Sequence, residues 1–457
     1  MKLKHAILFL FATAFIFIAC QNKMPREMQL SHDLGKNFNL DNNDNFSPDD
    51  RWLVYDTRTD EGGIGGCRTI EKINVETGKT IVLYKTKNAT QYGPGVGAAS
   101  FSPVENKVVF IHGLQNYSAE RPYAQWRRTG VIIDESNPNV PIFMDARDVT
   151  FPYTPGALRG GTHRHEWSGD GKWIGFTYND AVMETLEEKT GGHWNLRTIG
   201  VSHLLHPVKV DHGANDGNID GAWFSVLVVK VVPNPKPGSD EISHAADDSW
   251  VGTQGYQKKD GTWQRARAFL GTVRSERGEE VKELYVVDIP EKINSPGEDG
   301  PLEGTQTSFP MPPKGTVQRR LTFTAKTQHP GCSGIVRSSP DGTRIAYLAM
   351  DDKGIQQVFF MSPTGGRPVQ ITHHKTPVQS GVRWNPDGTK ICYLWENSIV
   401  ICDVTHGKDY GKFRKLTTRS DDEPTNLVWS HNGKMIAFNR TVETNGGSSK
   451  QIYLLRL

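Results

Sequence analysis

The chain predicts an all-β fold, a seven-bladed β-propeller, on three observations. First, six segments pair an aromatic or small residue and a Ser or Asn turn, often Pro-Asp-Gly, with a following apolar run. They are Phe46-Ser47-Pro48-Asp49, Phe101-Ser102-Pro103, Trp167-Ser168-Gly169-Asp170-Gly171, Ser339-Pro340-Asp341-Gly342, Trp384-Asn385-Pro386-Asp387-Gly388 and Trp429-Ser430-His431-Asn432-Gly433. Second, the last three recur at intervals of about 45 residues, the length of one propeller blade. Third, the runs after them, such as Trp52-Leu53-Val54-Tyr55 and Ile391-Cys392-Tyr393-Leu394, are short and apolar, as buried middle strands are. Proline presets φ for the turn, Asp caps it and Gly supplies φ > 0.

The N-terminus precedes the propeller. Lys2 and Lys4 lead an apolar run from Ala6 to Ala19, too short for an ordinary membrane span and of signal-peptide length. It ends Phe17-Ile18-Ala19-Cys20, which resembles the lipobox of bacterial lipoproteins, with Phe17 where Leu is usual. Residues 1–19 are therefore expected to be a lipoprotein signal peptide, Cys20 a lipidated N-terminus, 20–39 a polar tether, and 40–457 the propeller. The expected location is the bacterial outer membrane or cell surface, with the chain held as a monomer by its lipid. A plain secretory signal with an incidental cysteine is the alternative.

The repeat places blades near 40–90, 91–150, 151–200, 320–365, 366–410 and 411–457. Between 200 and 320 the punctuation fails. The runs at 223–229 and 283–288 read there as strands of one further blade amid Pro- and Gly-rich insertions. Asp240-Glu241-Ile242-Ser243-His244 is at most a short helix. The last strand, Gln451 to Leu455, is expected to close the ring.

A net charge of +2 excludes a general nucleic-acid-coating protein but leaves room for a basic groove. No Gly-x-Ser-x-Gly elbow and no Cys-x-x-Cys occurs, and Gly78-Lys79-Thr80 lacks the first glycine of a phosphate loop. What remains is histidine. Leu158-Arg159-Gly160-Gly161-Thr162-His163-Arg164-His165 puts His163 and His165 on one face by strand alternation, to bind a metal, act on a substrate or hold neighbouring loops. His112 ends a buried strand before a loop carrying Tyr123, Trp126, Arg127 and Arg128, surroundings that suit an acidic sugar. Tyr178 follows another strand, and Arg197 stands among apolar and small residues, where a guanidinium needs an anionic partner or solvent. His203, His206, His212, His329, Cys332, His373 and His374 form a second set. A thiolate with two or three imidazoles suits structural zinc, and His203, His212, Cys332 and His373 are the expected ligands.

Thr154-Pro155-Gly156, Arg159 to His163, Phe176-Thr177-Tyr178-Asn179-Asp180, Pro237 to Ile242 and Val317-Gln318-Arg319-Arg320-Leu321-Thr322-Phe323-Thr324 together resemble an uncharacterised Tol-like bacterial propeller family. They also resemble the seven-bladed ulvan lyases of polysaccharide lyase families 24 and 25. The resemblance implies β-elimination beside the uronic acid of a sulfated algal polysaccharide, with His112, Tyr178 and Arg197 as catalytic residues and structural zinc in some members. His163, His165, Arg127 and Arg128 are then the expected substrate-binding residues. The family's second catalytic histidine has no counterpart before His163. The alternatives are a non-catalytic, envelope-anchored propeller that binds glycan or protein, and an oligogalacturonate-type lyase with manganese held mainly by His.

Overall fold

The computed structural model describes residues 24–41, 44–59, 63–213, 216–444 and 447–457. The expected signal peptide and Cys20 lie outside the described residues. Seven sheets follow one another along the chain, each an antiparallel meander. The first blade is Trp52–Asp56, Thr69–Asn74 and Thr80–Lys85, with residues 39 and 46 bridging its inner edge at Asp56 and Leu53. The second begins at Val96–Phe101 and the third at Gly160–Trp167. The fourth begins at Ile242–Trp250, the fifth at Cys332–Ser338, the sixth at Arg383–Trp384 and the seventh at Thr425–Trp429.

The repeated motif does three jobs in these sheets. Its Ser or Asn side chain accepts the amide five residues on: Ser47 from Trp52 (3.0 Å), Ser168 from Trp173 (3.1 Å), Ser339 from Arg344 (3.1 Å), Asn385 from Lys390 (2.8 Å) and Ser430 from Met435 (2.9 Å). Its glycine takes a left-handed φ of 68–72° in the third, fifth, sixth and seventh blades and, in the last two, packs on the turn proline of the blade before it. Tryptophans at the ends of inner strands staple neighbouring blades. The indoles of Trp250, Trp384 and Trp429 donate to the carbonyls of Glu166, Arg337 and Arg383, each on the preceding inner strand. A Trp at this place is thus half core and half hydrogen-bond donor.

Three expectations change. The run at 223–229 supplies the outer strand of the third blade, Phe224–Leu227, while Glu280–Asp288 belongs to the fourth; insertions had hidden the boundary. Ile242–Trp250 is a strand, not a helix; the helix is Ala181–Thr190, started by Asp180, whose carboxylate accepts the amides of Val182 and Met183. The tether is shorter than expected on its structured side. Glu27–Gln29 pairs with the last strand, Gly447–Arg456, and Leu30 and Phe38 are buried. The ring therefore closes through the N-terminal strand added outside the final one.

Closure is reinforced on the turn face. His431 of the seventh blade contacts Asp44 (2.8 Å) and Asp50 (3.1 Å), and Asp50 also accepts the amides of His431 and Asn432. Burial alone would lower the His431 pKa, but the two carboxylates outweigh it and raise it to about 9. A raised folded-state pKa gives stability that is complete below the unfolded value of ~6.5 and lost as pH rises through about 9. His431→Gln is expected to lower stability by about 1–2 kcal/mol at pH 6, with the gap to the parent closing above pH ~9. Urea unfolding at both pH values checks this; a gap that persists undiminished at high pH would count against the ion pair.

Candidate functional site

A cavity of about 390 Å³ opens at the end of the channel opposite the turns, where inner strands begin. One wall comes from the second and third blades: Tyr123, Gln125, Arg128, His163, Arg164 and Arg197. The other comes from the first and seventh: Asn39, Asp41, Arg58, Asn426 and Lys450. A larger recess of about 550 Å³ lies off the channel, beside the insertion after the fourth blade's third strand. Its Lys230 is paired with Asp299, and its lining mixes both charge signs, with Asp240, Glu241 and Glu298 beside Lys314.

Two local features build the second-and-third-blade wall. A Cβ on Gly161 would stand 2.1 Å from the Gln125 carbonyl oxygen and 2.9 Å from Arg128 Cγ, so glycine lets that loop close over the strand carrying His163. A β-bulge then breaks the register between His163 and Glu166, with Arg164 at φ 53°. The bulge overturns the expectation that His163 and His165 share a face. His163 lines the cavity, whereas His165 turns to Thr162 Oγ1 (3.0 Å), which itself donates to Asp145 (3.2 Å). Burial holds the Asp145 carboxyl up at about 6 and, with Arg128, drops His165 to about 3.

His163 is 7 % exposed and its Nδ1 has no hydrogen-bond partner among the described residues. Burial, then the charges of Arg128, Arg197 and Arg164, hold its pKa well below the ordinary value, so it is neutral at pH 7. Arg128, 5 % exposed, donates through Nη1 to the Tyr123 hydroxyl (3.0 Å), and its Nε is unpartnered. Arg197 donates to the Gln125 amide oxygen (3.0 Å). Neither guanidinium has a carboxylate within 4.0 Å among the described residues, unlike Arg164, which faces Asp247 at 3.8 Å. Two largely buried guanidiniums without counter-ions are a site for an anion.

The expected catalytic trio does not assemble. Arg197 lines the cavity; His112 and Tyr178 do not. His112 is fully buried, its Nδ1 donating to the Gly113 carbonyl (2.6 Å) and its Nε2 accepting the Tyr84 hydroxyl (2.9 Å). Both nitrogens are occupied, and burial lowers its pKa to about 4. Tyr178 is fully buried, donating to Asp180 (2.9 Å) and accepting the Arg159 amide (3.1 Å). Arg159 pairs with the same Asp180 carboxylate and reaches the carbonyls of Thr305 and Ser308, so this network moors the insertion of the fourth blade. Of the expected substrate contacts, Arg128 and His163 are in place. Arg127 is turned away to the Asn116 side chain (2.9 Å) and His165 is buried behind.

The zinc ligands are dispersed as well. His203 stacks on Trp173 at 3.8 Å, exposed His212 sits 3.1 Å from Asp220, and His373 contacts Gln370 (3.0 Å). Cys332 is buried beside Thr322 Oγ1, and burial pushes its thiol up to about 12, far from a thiolate. Among the described residues no group of three or more His, Cys, Asp or Glu is placed to hold a metal.

Fold and cavity together define a seven-bladed propeller with a cationic channel mouth. Over 411 residues, 88 % of this chain and 92 % of the other, the sequence is 38 % identical to the Escherichia coli (strain K12) uncharacterized protein YidR, and the chain belongs to that protein's family. Residues 95–216, which span the cationic wall, match the family described as a protein of unknown function, DUF3748. Among solved structures, an oligogalacturonate lyase in complex with manganese superposes with a TM-score of 0.54 at 12 % identity, over 95 % of this chain and 93 % of that one. An oligogalacturonate lyase from Vibrio parahaemolyticus gives 0.53 at 12 % identity, over 95 % and 94 %. At that identity the likeness is one of fold.

Tyr178→Phe is expected to leave ligand binding at the cavity intact and to lower stability by about 1–3 kcal/mol, because it strips a buried hydrogen bond from Asp180. Denaturant unfolding beside a binding titration checks both; a folded, equally stable variant without function would return Tyr178 to the site.

Proposed function

We propose that this chain is a lyase that cleaves uronate-containing, anionic saccharides by β-elimination in the channel-mouth cavity. The observation that carries the reading is a buried, neutral imidazole with an unpartnered nitrogen, set among guanidiniums that lack carboxylate partners. The proton at C5 of a uronate is removable only once its carboxylate charge is neutralised, and Arg128 and Arg197 supply that charge. His163 takes the C5 proton as general base, and the electron pair forms the C4–C5 double bond as the C4–O4 bond breaks. The departing O4 needs a proton. The Tyr123 oxygen already accepts from Arg128, so its own hydrogen points elsewhere and is available to that oxygen. The fold shared with oligogalacturonate lyases is compatible with this chemistry, and ulvan remains one candidate among uronate-containing glycans.

Manganese does not fit the residues present. One imidazole and one carboxylate, His163 and Asp41, are too few ligands to hold the ion, and the surrounding Arg58, Arg128, Arg164, Arg197 and Lys450 repel a divalent cation. No step is drawn through a metal.

A panel of ulvan, polygalacturonate and heparin-type glycans, read by ultraviolet absorbance of the unsaturated product, tests the reading. His163→Ala and Arg197→Ala are each expected to lower kcat/KM by ~10²–10⁴ with circular dichroism unchanged. The depressed His163 pKa also replaces the alkaline optimum that an ordinary Tyr/His pair implies. The free-enzyme profile should show no ascending limb near pH ~6.5, since the base is already unprotonated there. Full activity in His163→Ala, or no product from any uronate glycan, would refute the proposal. For the proposed lipid anchor, the expected outcome is that Cys20→Ala moves the chain from the membrane to the soluble fraction; unchanged membrane partitioning would refute lipidation.

A further inference from the structure

The two walls of the cavity differ in chemistry. The second-and-third-blade wall is cationic: the Arg128 Nε has no hydrogen-bond partner among the described residues, Arg197 is bonded only to the neutral Gln125 amide, and the neutral imidazole of His163 lines the same wall. The first-and-seventh-blade wall is mixed. Its Arg58 is already engaged, 3.1 Å from Asp56 and 3.8 Å from Asp41. Asp41 is itself 7 % exposed, and its Oδ2 has no hydrogen-bond donor among the described residues. Asn39 and Asn426 stand beside it, with Lys450 at the edge. The Asn39 amide nitrogen donates to the Arg58 carbonyl and that of Asn426 to Asn439 Oδ1, so the capacity each amide has left is that of an acceptor oxygen.

A buried carboxylate oxygen without a donor costs free energy unless a ligand supplies one. Asp41 lines the cavity, and the ligand group compatible with its carboxylate is a hydroxyl, not a second carboxylate. A carboxylate brought to the Asp41 wall would meet a like charge in a poorly solvated place, with Arg58 already neutralised. Resting on the lyase reading above, we propose that the cavity is polarised: it seats a uronate carboxylate on Arg128 and Arg197 and a neutral, hydroxyl-bearing sugar residue against Asp41, Asn39 and Asn426. The preferred substrates are thus saccharides in which uronate is linked to a neutral sugar, and uninterrupted polyuronates are disfavoured.

Calorimetric binding of two short saccharides to the full chain tests this: a uronate linked to a neutral hexose, and a diuronate. The parent should bind the first at least about fivefold more tightly. Asp41→Asn keeps the shape and removes the charge. It should gain about fivefold to tenfold for the diuronate while changing affinity for the mixed saccharide less than about fivefold. Should Asp41→Asn fail to fold, Asn426→Asp adds a carboxylate to the same wall, at a φ of 55° that Asp tolerates, and should widen the discrimination instead. Equal binding of both saccharides by the parent, or no change of the ratio in the folded variants, overturns the polarity while leaving the lyase reading in place. If neither saccharide binds, or Arg197→Ala binds both as the parent does, the lyase reading falls and the polarity with it.

Discussion

A ring of sheets has to be joined to itself, and closure is the constraint on which the rest of this molecule depends. The join is made three ways at once: backbone pairing of Glu27–Gln29 with the last strand, the His431 ion pairs to Asp44 and Asp50, and burial of Leu30 and Phe38 beneath the seam. One wall of the cavity is drawn from residues near 39–58 and 426–450 and the other from 123–197. The first of these walls straddles the seam, so an open ring would have half a site.

Inside the ring, charge is handled in two different ways. Nearer the turns, Arg267 reaches across to Asp248 and Glu166, and Arg337 also faces Glu166, so most of the charge there is internally paired. Gly175 is the reason Arg267 fits, since a Cβ there would stand 1.8 Å from its guanidinium. Such pairs add little net stability over a well-packed apolar core, but losing one partner is costly. At the other end the guanidiniums of Arg128 and Arg197 have no partner of this kind. The contrast between a satisfied interior and an unsatisfied mouth is what supports the mouth as the proposed site.

Much of the fold was legible because the Ser/Asn turn signal is local: hydroxyl or amide, proline and glycine act within six residues. The fourth blade was obscured because its strands are separated by insertions, and the N-terminal strand because its partner lies over 400 residues away. The candidate site was legible only in part. His163, Arg128 and Arg197 stood out by residue type. His112 and Tyr178 did as well, and no pattern in the chain says whether a polar side chain faces the channel or a neighbouring blade. Asp41, Arg58 and Asn426 carried no signal, since ring closure alone brings them to the third blade.

The bulge at Arg164 has relatives around the axis. Inner strands of the second, fourth, fifth and seventh blades break register at the same depth, with Ala98, Asp247, Gly334 and Asn426 in left-handed backbone. A residue squeezed out of a ladder has no cross-strand partner to disturb, so among the residues that accept a left-handed backbone its side chain can be exchanged at little cost to pairing. Evolution can therefore rewrite the lining of this channel one blade at a time while the surrounding architecture stays put. Descendants of such a ring can drift apart in what they bind long before they drift apart in shape.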